Sequence, residues 1–216
     1  MSIVRTHMTT TLDGYVAGPH QGLANPFGEG TEHLNDWMFL LASARKLFGE
    51  TGGETGASND VFTERMENVG AFIMGRNMFG GGTGPWARDP AWTGWWGEDP
   101  PYHTPVFVLT HHAREPLPMK GGTTFHFVTD GIESALGKAR AAAGAKDVIV
   151  AGGARAIQQC LRIGAIDEIE LHLVPQFLGA GERLFEGVSP AQLGLEQTRV
   201  VQGTGVTHLK YRVTRK

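Results

Sequence analysis

Short apolar runs alternate with stretches of helical periodicity along the second half of the chain. The runs at 106–110, 125–128 and 147–151 are rich in β-branched and aromatic residues and have the length of buried strands. Apolar residues after the last two runs recur every three or four positions, which predicts helices that end near Gly144 and Gly164. This order of elements is typical of βα units in an α/β protein.

Polar residues indicate how these elements begin and which way they face. Asp130 stands three residues before Glu133, which predicts a capping box at the start of the first helix. Further on, Glu170 and His172 alternate with apolar residues, and the segment 207–213 alternates in the same way. Alternation of this kind predicts strands with one face in water at the edge of the sheet, so we expect a mixed sheet rather than a purely parallel one.

The first half of the chain is predicted to begin with a strand at 3–11, a turn at Asp13-Gly14 and an extended segment at 15–17. Apolar residues at helical spacing over 34–48 predict one helix, with Thr31 as its N-cap. The elements expected next are a polar, glycine-rich loop at 50–59, a helix at 61–69 and a strand at 71–74.

An insertion rich in tryptophan, residues 80–104, follows this strand and contains four of the five tryptophans. A segment of this length without periodicity usually lines a site or forms an interface. Pro85-Trp86 is a candidate aromatic wall for a flat heterocycle. The alternative is that the tryptophans pack the insertion onto the sheet or bury a dimer contact.

Composition narrows the class of protein. The 216 residues carry a formal net charge of −3, which argues against nucleic acid or an anionic membrane as the main partner. With 41% hydrophobic residues, one cysteine and no long apolar run, the sequence predicts a single domain over 1–216 that is cytoplasmic and does not cross a membrane.

Several common catalytic motifs are absent from the sequence. It contains no GxSxG, GxxxxGK[ST] or HExxH motif. The adjacent pair His111-His112 does not have zinc-ligand spacing, so we expect no metal site. Residues 179–184 begin like a dinucleotide fingerprint but have leucine in place of the third glycine, which argues against a Rossmann site.

Two strand-to-helix corners of one kind remain, at 74–79 and 151–156. In each, a buried strand gives way to glycine, and a basic residue follows at the start of a helix, Arg76 in one and Arg155 in the other. Glycine lets the backbone approach a ligand, free helix N–H groups attract phosphate, and arginine adds a bidentate donor. Two neighbouring corners of this kind suit a pyrophosphate. The alternative is that the glycines only form tight turns and the arginines are solvated.

An ordered set of segments resembles the dihydrofolate reductase superfamily, and most closely its branch similar to the reductase domain of bifunctional riboflavin-biosynthesis enzymes. The segments that carry this resemblance are TLDGYVA (11–17), MGRN (74–77), VFVLT (106–110), VIVAGG (148–153), IDEI (166–169) and the stretch 174–179. The resemblance implies a three-layer α/β/α fold with a mixed, mostly parallel sheet, a C-terminal antiparallel hairpin, and NADPH lying across the strand ends.

The resemblance also implies which residues bind the cofactor. Arg76 is expected to bind the adenosine 2′-phosphate, and the Gly-Gly turn at 152–153, often a cis bond in dihydrofolate reductases, is expected to bind the pyrophosphate and nicotinamide side. Thr110 and His111 are expected to flank the adenine. The full set of implied cofactor residues is Gly75, Arg76, Asn77, Met78, Thr110, His111, Ala151, Gly152, Gly153, Ala154, Arg155 and Ala156.

The substrate side of the resemblance is weaker. Asp13 is expected in the substrate-side loop, and Asp36 corresponds to the helix carboxylate of dihydrofolate reductases, with an exposed carboxylate as the alternative. Both are candidate catalytic residues, beside a bound water. The chain lacks the DNPxLTxR-like segment of the riboflavin branch, which puts the ribosylamino-pyrimidine substrate in doubt. The candidate substrate-binding residues are Thr11, Gly14, Tyr15, Trp37 and Trp86.

The function that this resemblance implies is an NADPH-dependent reductase that transfers hydride to a small planar substrate of pterin or pyrimidine type. The alternative is a vestigial member that binds a nucleotide or an antifolate-like ligand without turnover. A flavin-dependent reductase of unrelated fold is disfavoured, because the resemblance accounts for the glycines without flavin. A homodimer is expected, since members of the riboflavin branch commonly dimerise.

Overall fold

The apolar runs form the centre of one nine-stranded sheet. A computed structural model describes residues 2–86, 91–189 and 193–215. The strands are β1 (Val4–Thr11), β2 (Tyr15–Ala17), β3 (Val69–Gly75), β4 (Pro105–Leu109), β5 (Leu117–Pro118), β6 (Thr124–Val128), β7 (Asp147–Gly152), β8 (Glu168–Val174), β9 (Glu182–Arg183), β10 (Leu193–Gly203) and β11 (Val206–Arg215). The sheet order is β10-β11-β8-β1-β7-β3-β4-β6-β5, and β2 pairs separately with β9.

Six neighbouring strands, from β8 to β6 in the sheet order, run parallel, whereas β5, β10 and β11 are antiparallel to their neighbours. The last two strands form a long hairpin that joins the sheet at β8. The mixed, mostly parallel sheet and the C-terminal antiparallel hairpin are therefore confirmed.

Helices cover both faces of the sheet. They are α1 (Asp36–Phe39), α2 (Ala42–Leu47), α3 (Ala57–Glu64), α4 (Arg76–Phe79), α5 (Ile132–Ala143) and α6 (Ala154–Arg162). The apolar faces of α5 and α6 share a core with Ile73 and Val150. The opposite face, which carries Phe72 and Ile149, is covered by α1–α3 and the tryptophan-rich insertion. In the described part of the chain, none of the helices has both the length and the hydrophobicity of a membrane span.

Helix α5 packs unusually close to β3, and a glycine makes this possible. A Cβ atom at Gly70 would lie 2.7 Å from Ala143 Cα and 2.8 Å from the Ala143 carbonyl oxygen. The face of α5 toward the sheet is built largely from alanine, so small side chains on the helix and glycine on the strand set the spacing of these two layers.

The predicted helix over 34–48 is wrong in one respect: the structure has two short helices there, α1 and α2. Leu41 is extended between them and forms an isolated bridge with Glu54, so a β-like link interrupts the helical spacing. Thr31 is not an N-cap, because its hydroxyl donates to the Gly28 carbonyl oxygen at 2.6 Å and Asn35 precedes the first helical residue.

Two helix starts also differ from the prediction. Helix α3 begins at Ala57, inside the predicted loop, and ends at Glu64, so that β3 already starts at Val69. The capping box at α5 is wrong: Gly131 is the N-cap, and the Asp130 carboxylate accepts instead from the Ser134 hydroxyl at 2.7 Å and from Lys138.

The prediction of one wet face is wrong for β8 and for the start of β11, although Arg212 near the end of β11 is exposed as predicted. Glu170, His172 and His208 are buried, with side chains that point toward the α1–α3 side of the sheet. Strand β10, rather than β11, is at the edge of the sheet. Alternation therefore marks a buried polar layer here instead of a solvated surface.

The tryptophan-rich insertion packs onto the same face. Trp92 Nε1 donates to the Phe79 carbonyl oxygen at 2.9 Å, and Trp96 stacks on Phe125 with ring centroids 6.0 Å apart. Gly80, at φ +86°, leaves room for the ring of Trp95, since a Cβ there would come within 2.7 Å of it. The described parts of the insertion, residues 80–86 and 91–104, thus contribute to the core on this face of the sheet.

The close contact of α5 with β3 predicts opposite effects for two glycine substitutions. Gly70→Ala is expected to lower the free energy of unfolding by about 1–3 kcal/mol because its methyl group overlaps Ala143. Gly137→Ala, on the exposed side of α5 with nothing within 4 Å of the new Cβ, is expected to raise it by about 0.5–1 kcal/mol. Urea denaturation of both variants tests this, and unchanged stability in Gly70→Ala would contradict the packing described.

Candidate functional site

A cavity of about 720 Å³ opens where the parallel strands end and continues under α1–α3. Its first part, which we call the strand-end compartment, is lined by residues 75–78, 110–112 and 153–156. Its second part, the deep compartment, lies over the sheet and is lined by His7, Phe62, Arg65, Phe72, Tyr102 and His172. The two compartments are continuous, so two ligands that occupy them can touch.

Backbone groups dominate one wall of the strand-end compartment. Helix α6 starts there with Gly153 as its N-cap, and no side chain caps its first amides. A Cβ at Gly153 would meet nothing within 4 Å, which means that this side of the backbone faces open space. Free N–H groups at the start of a nine-residue helix favour a phosphate oxygen.

The glycine before it has a different role. Gly152 has φ +126°, and a Cβ there would lie 2.8 Å from the Met8 methyl group. The peptide bond between Gly152 and Gly153 is cis, as the resemblance implies. Gly152 thus brings β7 against Met8, and Gly153 is the residue that faces the cavity.

Arg76 is held in place at the opposite wall. Its guanidinium donates to the carbonyl oxygens of Gly80 and Gly81, each at 3.1 Å, and lies over the ring of Trp86, 3.0 Å from the ring centroid. Arg114 lies over the same ring at 5.1 Å. Burial, followed by repulsion from Arg114, lowers the pKa of Arg76 to about 10, so it remains a cation at neutral pH.

The two guanidinium groups beside Trp86 have a common electrostatic consequence. Among the described residues, no carboxylate forms an ion pair with Arg76 or Arg114. Of the two, Arg76 lines the cavity, and a cation without an acidic partner across from free helix amides favours an anion with several oxygens, such as a phosphate.

The other predicted cofactor residues lie around this compartment. Thr110 is buried, and its hydroxyl accepts from the His112 backbone amide at 3.2 Å. Arg155 is exposed and pairs with Glu182 at 3.3 Å. The remaining predicted residues that line the cavity are Gly75, Asn77, Met78, His111, Ala151, Ala154 and Ala156.

The deep compartment contains an unusual cation. The guanidinium of Arg65 stacks on Phe62, 3.5 Å from the ring centroid, and its Nη2 contacts the Met38 sulfur at 3.6 Å. Its Nε is buried without a hydrogen-bond partner among the described residues. Burial lowers the pKa of Arg65 to about 9, although Glu170 and Tyr102 act in the opposite direction.

Two buried histidines, His172 and His208, and the half-buried His7 lie in the polar layer on this side of the sheet. His172 and His208 have their Nδ1 atoms 2.8 Å apart, and His208 Nε2 lies 3.0 Å from the Ser58 hydroxyl. His172 Nε2 is buried without a partner among the described residues. Burial lowers the pKa of His208 to about 4, and burial together with Arg65 lowers the pKa of His7 and of His172 well below the ordinary value.

The two candidate catalytic carboxylates lie elsewhere. Asp13 accepts from the Thr11 hydroxyl at 2.5 Å and from the Gly179 amide at 2.8 Å, and these bonds lower its pKa. It therefore holds the loop after β1 against the loop after β8. Asp36 is exposed and pairs with His33 at 2.8 Å, in a small depression that adjoins the cavity at Asn35 and Phe39, and Asp36 itself does not line the cavity.

The candidate substrate-binding residues do not line the cavity, and most of them pack behind the residues that do. Trp37 Nε1 donates to the Thr9 hydroxyl at 3.2 Å, and its ring packs on His172 at 4.7 Å. Tyr15 is buried and donates to the Gly179 carbonyl oxygen at 3.2 Å. Thr11 and Gly14 belong to the turn that Asp13 anchors: the Thr11 carbonyl accepts from the Gly14 amide. Trp86 packs on Phe79 and Phe127.

The sequence analysis did not identify the side chains that line the deep compartment. His7 and Thr9 alternate along β1 in the same way as Glu170 and His172 along β8. Polar residues at period two on neighbouring strands can mark either a wet face or a buried polar site, and only the placement of α1–α3 decides between them. No sequence pattern indicates that Arg65 is a site residue, because it follows the end of a short helix.

The strand order and the helices on both faces define an α/β fold of the dihydrofolate reductase type. Residues 2–209 match the family model described as the RibD C-terminal domain. The chain therefore belongs to the RibD C-terminal domain family. None of the curated proteins compared with this sequence matched it.

Solved structures support the same fold. The chain is similar to a putative riboflavin biosynthesis protein from Shewanella sp. PV-4, with 22% identity, a TM-score of 0.65 and 99% of each chain covered. It is similar to Acinetobacter baumannii RibD, with 16% identity and a TM-score of 0.58, over all of this chain and 59% of that one. It is also similar to Enterococcus faecalis dihydrofolate reductase complexed with NADP(H), with 12% identity and a TM-score of 0.50, over 99% and 96% of the two chains.

The buried histidines predict a pH dependence of stability. In the unfolded chain they take up protons below about pH 6.5, whereas in the folded protein His7, His172 and His208 stay neutral. The free energy of unfolding should therefore fall as the pH drops from about 7.5 to about 5, by about 1.4 kcal/mol per pH unit for each histidine below its unfolded pKa.

Denaturation of His208→Gln across this range measures the share of one histidine. Its pH slope should be smaller than that of the wild type by about 1.4 kcal/mol per pH unit. His111→Gln, at an exposed position, is the matched control for the loss of an imidazole. Equal slopes in His208→Gln and the wild type would contradict the placement of His208 as a buried neutral group.

Proposed function

We propose that this protein is an NADPH-dependent reductase that transfers hydride to a C=N or C=O group of a small planar heterocycle of pyrimidine type. The observation that carries the proposal is the continuity of the two compartments in one cavity, within a family of riboflavin-type reductase domains. One compartment offers backbone amides and arginine, and the other offers aromatic walls. A reductase needs two such neighbouring sites, because its cofactor and its substrate must touch.

The strand-end compartment has the groups that NADPH would require. The open face at Gly153 and the first amides of α6 are suited to the pyrophosphate, and Arg76 is suited to the 2′-phosphate. When bound there, NADPH would supply the hydride. The protein would hold the nicotinamide toward the deep compartment and exclude water from it.

The deep compartment has the groups that a flat ring would require. Phe72 and Tyr102 contact each other edge to face at 4.9 Å, and Phe62 forms a further apolar wall. The proton that accompanies the hydride has to come from a group that reaches this space. His7 and His172 do so, whereas Asp13 is held by the loops that it joins. Both imidazoles are neutral and therefore too weakly acidic to give up a proton themselves, so we infer that they hydrogen-bond a single water that delivers it, in preference to either carboxylate.

Replacement of Arg76 tests the cofactor assignment. Arg76→Met is expected to weaken NADPH binding by about 10- to 100-fold, the equivalent of one or two charge-assisted hydrogen bonds, and to leave NADH binding nearly unchanged. Arg155→Met, an arginine on the same compartment that already pairs with Glu182, is the matched control. Calorimetric titration with both nucleotides measures the effect.

Equal loss of NADPH and NADH affinity would indicate damage to the loop that Arg76 holds at Gly80 and Gly81, and would contradict a 2′-phosphate site.

A second experiment separates a reductase from the alternative, a family member that binds nucleotide without turnover. It measures whether dihydrofolate or pyrimidines oxidise the bound NADPH. The missing substrate-side segment of the riboflavin branch is the observation that favours this alternative.

A further inference from the structure

Arg65 differs from the other buried or half-buried arginines in the hydrogen-bond acceptors of its guanidinium group. Arg199 donates to Glu64 at 2.6 Å and to Glu170 at 3.0 Å, and Arg5 lies 3.5 Å from Asp147. Arg65 donates only to the Met38 sulfur within the described part of the chain, and a thioether is a weak acceptor. A guanidinium has five donors, so most of the hydrogen-bonding capacity of Arg65 is free.

The position of Arg65 leaves the cavity as the place where its partner can lie. Its side chain is fixed on one side by Phe62 and Met38 and lines the deep compartment on the other. Glu170 attracts Arg65 electrostatically, but its carboxylate already accepts from Arg199. Arg65 is half-buried, and a guanidinium whose acceptor among the described residues is a thioether is poorly satisfied, so an oxygen anion supplied from the cavity would provide the acceptor that it lacks.

We propose that the deep compartment binds a planar ring bearing a carboxylate, with Arg65 as the counter-ion of that carboxylate. The choice of a carboxylate over a phosphate follows from the lining, in which Arg65 is the single cation of the compartment among the described residues. His7 and His172 are neutral beside it, so the compartment offers one positive charge, which matches a monoanion better than a phosphate dianion.

The aromatic side chains of the compartment indicate that the rest of the ligand is a flat ring. Phe72 and Tyr102 lie on the same compartment as Arg65 and offer their faces and edges to a flat ring. Burial raises the pKa of Tyr102, so its hydroxyl stays protonated and can donate to a ring oxygen. The inference narrows the substrate class to acidic planar heterocycles and rests on the proposed function for the choice of a pyrimidine ring.

Orotate and uracil form a matched pair of probes, because they share the pyrimidine ring and differ by a carboxylate. Calorimetric titration of the wild type is expected to give at least about tenfold tighter binding of orotate, and Arg65→Met is expected to reduce orotate affinity to the level of uracil. Arg140→Met, at an exposed arginine of α5 that does not line the cavity, should leave orotate binding unchanged. Binding of orotate is measured without nucleotide, so its outcome is independent of the cofactor assignment.

Equal affinity of the wild type for the two probes, or a preference for orotate that survives in Arg65→Met, would overturn the proposal. A cooperative thermal unfolding transition identifies a folded variant. If Arg65→Met does not fold, Arg65→Gln replaces it, because a glutamine removes the charge and keeps a polar side chain. Its expected result is loss of the preference for orotate, and a preference that survives would count against Arg65 as the counter-ion.

Discussion

The architecture depends on six parallel strands that end at one edge of the sheet. Where β3 and β7 end, glycine turns the chain directly into a helix, so the first residues of α4 and α6 face the cavity. Parallel strands also require helical crossovers, which place α5 and α6 on one face. The other face is left to α1–α3 and the tryptophan-rich insertion, and the cavity forms between these covers and the strand ends. The strand order therefore fixes where a ligand can bind.

A second constraint is the cost of the polar layer on this face. His172, His208 and Glu170 are almost completely buried, and burying such groups is unfavourable unless each finds a partner. Most do so, through the contacts of His208 with His172 and Ser58 and of Glu170 with Arg199. Within the part of the chain that the structure describes, Arg65 Nε and His172 Nε2 have no hydrogen-bond partner, and both residues line the cavity. Unsatisfied polar groups beside a cavity lower the free energy of unfolding of the free protein. A ligand that pairs with these groups would raise it again.

The sequence predicted much of this fold for physical reasons that can be stated. Continuous apolar runs such as 147–151 fit strands buried on both faces, and the glycines after them marked the corners that line the strand-end compartment. The deep compartment could not be predicted in the same way. It is built from His7, Arg65 and His172, which are far apart in the sequence and resemble surface residues. Their meeting depends on the tertiary placement of α3, which no local pattern encodes.

The helix over 34–48 illustrates the same limit. Its apolar spacing is helical, yet Leu41 leaves the helix to pair with Glu54, an interaction that only the three-dimensional arrangement provides. The capping box at Asp130 failed because the carboxylate found a better partner in Ser134 and Lys138. In both cases a contact outside the local pattern decided the structure.

The central claim is that one cavity accepts NADPH and a planar carboxylate at the same time. Trp95 and Trp96 line that cavity, so tryptophan-sensitised fluorescence of NADPH reports directly on occupancy. The account predicts sensitised emission that saturates at one NADPH per chain and persists when orotate is added to saturation. Absence of sensitised emission, or displacement of NADPH by orotate, would contradict it.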